Sequence, residues 1–153
     1  MEREAGPIET RIKTDTVTAL KAGDKQRTEA LRLLTAALKK ERIDAGKNPV
    51  EADEIVVLKR ERKRRLEALE IYKSAGRPEL AATEEFEELV IAAYLPEELG
   101  EDEIARLVDE AIAASGAQSA KDMGKVMGTV MKQVAGRADG AIVRQVVEQK
   151  LGA

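Results

Sequence analysis

Apolar residues recur at three- and four-residue intervals through nearly all of this 153-residue chain, and no run of five or more residues alternates convincingly with period two. That pattern puts one apolar stripe on each helix and gives a strand no consistent face, so it predicts an all-α protein. Glycine and proline punctuate the pattern. A first helix is expected over 7–22, with Ile8, Ile12, Val17 and Leu20 inward and Gly23-Asp24 closing it. A second, over 25–45, turns Leu31, Leu34, Ala37 and Leu38 inward before Gly46-Lys47-Asn48-Pro49 breaks it. A third, over 51–74, carries Ile55, Leu58, Leu66, Leu69 and Tyr72 and stops at Ala75-Gly76-Arg77-Pro78. A fourth, over 79–95, carries Phe86, Leu89, Val90 and Ala93 and ends at Pro96.

Leu95-Pro96-Glu97-Glu98-Leu99-Gly100 brackets a charged stretch with proline and glycine, which marks a domain junction. Three shorter helices are expected after it, over 101–114, 120–134 and 140–151. The organisation is therefore two unlike helical bundles, 1–95 and 96–153. Ser119-Ala120-Lys121-Asp122 reads as a capping box with Asp in place of Glu, followed by Met123, Val126, Met127, Val130, Met131 and Val134 at helical spacing. Asp139 is the expected cap of the last helix, whose inner face reads Ile142, Val143, Val146, Val147 and Leu151.

Composition removes most catalytic templates. The chain has no Cys, His or Trp, and its aromatics are Phe86, Tyr72 and Tyr94. Disulfides, thiolate and imidazole metal sites, and Ser-His-Asp or Cys-His chemistry are thereby excluded. No carboxylate pair sits in an apolar setting suited to acid-base work, Gly-rich nucleotide fingerprints are absent, and the three serines Ser74, Ser115 and Ser119 build no local Ser-Lys motif. No catalytic residue, metal or cofactor is expected. No run approaches the ~20 apolar residues of a membrane span, and Met1-Glu2-Arg3-Glu4 is acidic rather than a basic leader, so the expected location is cytoplasmic.

The formal net charge of −3 conceals a gradient. Residues 1–95 are neutral, 96–115 carry net −6, and 116–153 carry net +3. The acidic stretch is explained by Glu101, Asp102 and Glu103 at a helix start, where carboxylates favour the positive end of the dipole. A second charge feature is Lys59-Arg60-Glu61-Arg62-Lys63-Arg64-Arg65 inside the third helix. Its Lys59, Arg60, Lys63 and Arg64 form either a phosphate-gripping patch or a solvated face paired with Glu61, Glu67 and Glu70. Arg62 falls on the apolar row, so it snorkels or pairs with an acid of another helix. Gly124 and Gly128, four apart, make a stripe that suits either tight helix packing, the favoured reading, or the approach of a nucleic-acid backbone. Gly136-Arg137-Ala138-Asp139-Gly140 is a capped turn whose amides and Arg137 can also receive a phosphate.

The tail residues Lys121-Asp122-Met123-Gly124-Lys125-Val126-Met127-Gly128, with Gly136-Arg137-Ala138-Asp139-Gly140 and Val143, resemble the GatB/YqeY family. Leu31-Arg32-Leu33-Leu34 with Ala36, Ala37 and Leu38, Tyr72 with Ala75-Gly76-Arg77, and Tyr94-Leu95-Pro96 extend the resemblance to the stand-alone YqeY type over almost the whole chain. The tail alone is similar to the C-terminal domain of the B subunit of the tRNA-dependent amidotransferase. The resemblance implies two unlike helical bundles and a tail that binds tRNA or aminoacyl-tRNA as an appendage. By matching position, its candidate RNA-binding residues are Lys121, Gly124, Lys125, Gly128, Lys132, Arg137 and Gly140. The family is often labelled as carbon-nitrogen ligases with glutamine as amido donor. The catalytic cradle that would carry that chemistry is missing from this chain, so the label reads as inherited from the larger subunit. The expected function is a non-catalytic accessory protein that binds tRNA through helix surfaces. The alternatives are a protein-interaction adaptor with a partner in tRNA metabolism and, least favoured, an amidotransferase component with its own catalysis.

Overall fold

The computed structural model describes residues 3–152; Met1 and Glu2, which open the acidic N-terminal segment, and Ala153 lie outside it. The helices are α1 (Pro7–Lys21), α2 (Lys25–Ala45), α3 (Glu51–Ser74), α4 (Pro78–Ala92), α5 (Glu101–Ser115), α6 (Met123–Val134) and α7 (Gly140–Leu151), with a 3₁₀ turn at Ala120–Asp122. No strand forms among the described residues. The fold is all-α, and the backbone contacts divide the chain between Leu95 and Pro96 into two compact units.

In the first unit α1 packs on α2 and α3 on α4, with α2 joining the pairs. Ile8, Ile12, Leu31, Leu34, Leu38, Ile55, Val57, Leu58, Val90, Ile91 and Tyr94 make its core. Ile8, Ile12, Ile55, Leu58, Leu69 and Val90 are buried as expected, but single positions of three stripes turn outward. Val17 and Leu20 of α1 are exposed, while Ala19 is buried. On α3 Leu66 is exposed and Val57 is buried; on α4 Leu89 and Ala93 face solvent, while Ile91 and Tyr94 point inward. The Tyr94 hydroxyl donates to Asp15 of α1, and Arg11 lies 5.0 Å from the ring centroid. That contact turns the end of α4 inward, and Tyr94 and Leu95 continue only as i to i+3 turns, bonding Ile91 and Ala92, so the helix stops three residues before the expected 95.

Charged residues are buried in the same unit. Glu54 of α3 is 2% exposed, and its carboxylate accepts the Ile8 and Glu9 amides at 2.9 and 2.7 Å. It caps α1 from 46 residues away. A Cβ on Gly6 would stand 2.5 Å from the Glu54 carboxyl carbon, so this close approach requires glycine. Glu9, fully buried, pairs with Arg42 of α2 at 2.9 Å, and Arg42 also donates to the Arg3 carbonyl at 2.6 Å. A surface-pattern reading assigns all three charges to solvent. Arg62, the residue that interrupts the apolar row, pairs with Glu88 of α4 at 2.8 Å.

In the second unit α5, α6 and α7 pack mutually around Ile104, Leu107, Val108, Val126, Val130, Val134, Val143 and Val147. Ile142, expected on the inner face of α7, is exposed. The expected helix over 120–134 breaks into the 3₁₀ turn and α6. The Ser119 side chain makes no cap bond; instead the Asp122 carboxylate accepts the Gln118 amide at 3.0 Å. Asp139 caps α7 as expected, accepting the Ala141 amide at 2.8 Å.

Candidate nucleic-acid interface

The α6 stripe of Val126, Val130 and Val134 is fully buried, which fixes the rotation of the helix and decides what its other side presents. At about 100° per residue, Gly124, Gly128, Lys132 and Lys125 fall within roughly 100° of arc opposite that stripe. All four are exposed. A Cβ added at Gly124 or Gly128 meets nothing within 4 Å. The expectation that these glycines serve tight helix packing is therefore overturned: no neighbouring helix uses the space. Each glycine still costs about 1 kcal/mol of helix stability relative to alanine, a cost that internal packing does not offset.

Lys121 precedes this face in the 3₁₀ turn and is exposed. Among the described residues, Lys121, Lys125 and Lys132 form no ion pair with a carboxylate. Lys125 and Lys132 are seven residues apart, about 10 Å along the helix. Gly140, at the start of α7, borders the face through Met131, whose Cε lies 3.7 Å from the position of an added Cβ. Met131 is itself exposed at this edge.

Arg137 is placed differently. Its carbonyl accepts the Leu99 amide at 2.7 Å, which sets the α6–α7 turn against the start of α5, and its side chain is half-buried. There Glu103 is held below the usual carboxylate range, first by its hydrogen bond to Arg106 at 2.9 Å and further by the charge of Arg137. The turn before Arg137 carries a feature that spacing did not reveal: Ala135 is left-handed at φ 49°, next to Gly136 at φ 82°. The Asp139 side chain occupies the Ala141 amide at the start of α7, which reduces the room for a phosphate on those amides.

The basic run of α3 is largely met by acids. Arg60 pairs with Glu41 of α2 at 3.2 Å, Arg64 with Glu61 at 3.4 Å, and Arg65 with Glu87 at 3.0 Å. Lys63 is exposed, and Lys59 also has a partner in the fold. Glu61 supplies one of these pairs as the spacing suggested, but the other acids come from α2 and α4. A cleft of about 230 Å³ in the first unit, walled by Leu38, Pro49, Val56 and Val57, has Glu9, Arg42 and Glu54 at its polar side. Those three groups are engaged in holding α1, as described above.

Gly124, Gly128, Lys125 and Lys132 thus share one exposed face of α6 in the second of two helical units. The chain matches the family model YqeY, described as Yqey-like protein, over residues 9–151, and it belongs to that family. No curated protein matches the chain. No helix among the described residues is long and apolar enough to cross a membrane.

Proposed function

We propose that the C-terminal unit binds the backbone of folded RNA, with tRNA or aminoacyl-tRNA as the ligand, and that the protein acts as a non-catalytic accessory to tRNA metabolism. The observation that carries this reading is the exposed α6 face, where Gly124 and Gly128 leave open space beside Lys125 and Lys132. A ribose-phosphate chain can lie close to the helix backbone at the glycines while the ammonium groups meet its phosphates. Lys121 extends the face at one end and Gly140 borders it at the other. Arg137, in the turn that precedes Gly140, adds a further cation.

The aromatic inventory directs the choice of RNA. Tyr94 is buried in the first unit, and the second unit has no aromatic residue at all. Stacking on unpaired bases is therefore not available to the tail, and recognition rests on shape and backbone charge. The local excess of Lys and Arg after residue 116 provides attraction despite the overall negative charge.

Fluorescently labelled tRNA titrated at two salt concentrations tests the proposal. Micromolar binding that weakens as salt rises is the expected result. No binding at either concentration, or binding indifferent to salt, sinks it.

A further inference from the structure

We propose that the cleft of the first unit binds a small apolar amine, its apolar body against the walls and its ammonium beside the buried Glu54 carboxylate. The inference is independent of the RNA reading, which concerns the tail. The cleft, at about 230 Å³, is larger than the ~150 Å³ apolar cavity that admits benzene. In proportion it suits a body of roughly nine heavy atoms, short of the drug-sized ligands that fill pockets of about 300–1,000 Å³. Leu38 of α2, Pro49 of the loop that follows, and Val56 and Val57 of α3 supply the apolar walls. Val56 is 64% exposed, so aliphatic surface at this wall is left uncovered by the unit itself.

The charge balance selects among ligands of that size. The lining carries carboxylates at Glu9, Glu41, Asp53 and Glu54 against the cations Arg42 and Lys47. Arg42 is committed to Glu9, donating from Nε at 2.9 Å and from Nη2 at 3.3 Å, and Lys47 stands 3.6 Å from Asp53. Glu41 pairs with Arg60 at 3.2 Å. Glu54 has no such companion. It is 2% exposed and accepts the Ile8 and Glu9 amides, yet among the described residues no lysine or arginine lies within ion-pair distance of it. Those two bonds use about half of the acceptor positions of a carboxylate, and its charge is offset chiefly by the positive end of α1. A buried carboxylate attracts a cation more strongly than an exposed one does, because less water screens the pair. An ammonium carried in on an apolar body supplies the missing cation. A ligand carboxylate meets repulsion at the same place, which disfavours both fatty acids and amino-acid zwitterions.

Titration of the full chain with phenethylamine, phenethyl alcohol and phenylacetate, followed by methyl NMR, tests the site, since the three share one ring and differ in charge. The amine should shift the methyls of Leu38, Val56 and Val57 saturably and bind about fivefold tighter than the alcohol, the scale of one charge pair a few ångströms apart in water. Phenylacetate should bind more weakly than the alcohol. Equal affinity for amine and alcohol overturns the proposal, as do shifts confined to residues outside the cleft or no saturable shift at all. Glu54→Gln should bring the amine down to the affinity of the alcohol and leave the alcohol unchanged; a retained preference for the amine overturns the role of Glu54. Because Glu54 also caps α1, a Glu54→Gln chain that does not fold is replaced by Val56→Trp, a change at an exposed wall position. That variant should lose the saturable shifts at Leu38 and Val57, and amine binding unchanged from wild type counts against the cleft.

Discussion

The two units solve the packing of helices by opposite means. The core of the second is aliphatic, with five valines fully buried on α6 and α7 and no buried charged residue among those described. The first buries Glu9, Arg42, Glu54, Glu61 and Glu88 alongside its aliphatic residues. The difference teaches what charge is doing in each. In the first unit it positions helices: Glu54 caps α1 from α3, Arg42 ties Glu9 to the segment before α1, and Arg62 and Arg65 join α3 to α4. In the second no charge is buried among the described residues, and several exposed charges pair with one another, Arg106 with Glu103 and Glu110 and Arg144 with Glu148.

The sharpest way to break this contrast is Arg42→Ala. It leaves the Glu9 carboxylate buried with only the half-exposed Lys13 at 3.2 Å for company. A loss of about 3–5 kcal/mol is expected in chemical denaturation, the cost of an uncompensated buried charge. Replacing both partners, as Glu9→Leu with Arg42→Met, should recover most of that loss. If the single variant is as stable as wild type, the buried pair does not position α1.

A smaller effect, of opposite sign, is expected in the second unit. Gly124→Ala and Gly128→Ala add a methyl group in open space on a helix, so each should stabilise the tail by about 1 kcal/mol. On the RNA reading the same variants weaken tRNA binding, because the methyl groups hold the backbone away. Greater stability with unchanged affinity would leave the glycines without a role in binding and would remove the main support for that face.

The smallest effect belongs to the α3–α4 seam. Burial raises the Glu87 carboxyl above its ordinary range, against the opposing pull of Arg65 and with some help from Glu84. A folded state that holds this proton more tightly than the unfolded chain gains stability at low pH and loses it as pH rises through the raised value. Glu87→Gln should therefore slightly flatten the profile of stability as pH rises above ~4, near the unperturbed glutamate value. A profile unchanged in shape would show that another carboxylate of the seam takes the proton.

Helix existence was legible in the sequence because its signals are local. Gly46-Lys47-Asn48-Pro49 and Ala75-Gly76-Arg77-Pro78 interrupt the helical pattern whatever surrounds them, and α2, α3 and α7 span the residues that the spacing predicts. Which face turns inward was less legible. Val17, Leu20, Leu66, Leu89 and Ile142 are apolar yet exposed, whereas Glu9, Glu54 and Arg42 are charged yet buried. Hydrophobicity has no term for a carboxylate that finds two backbone amides 45 and 46 residues away. The candidate RNA face was half legible. Its residues could be named from the motif, but spacing could not choose between a packed glycine stripe and an open one.

Local chemistry in the chain was enough to determine an all-helical protein, the ends of most helices and the segregation of charge along the sequence, since each follows from neighbours within a few turns. Tertiary structure alone decided the rest. It aimed Gly124 and Gly128 at open space by burying Val126, Val130 and Val134 on the other side, it tied the Arg137 carbonyl to the Leu99 amide, and it spent the arginines of α3 on carboxylates of α2, α3 and α4. These outcomes depend on which groups meet across helices, and the free energy of a charge or a glycine is set by what meets it.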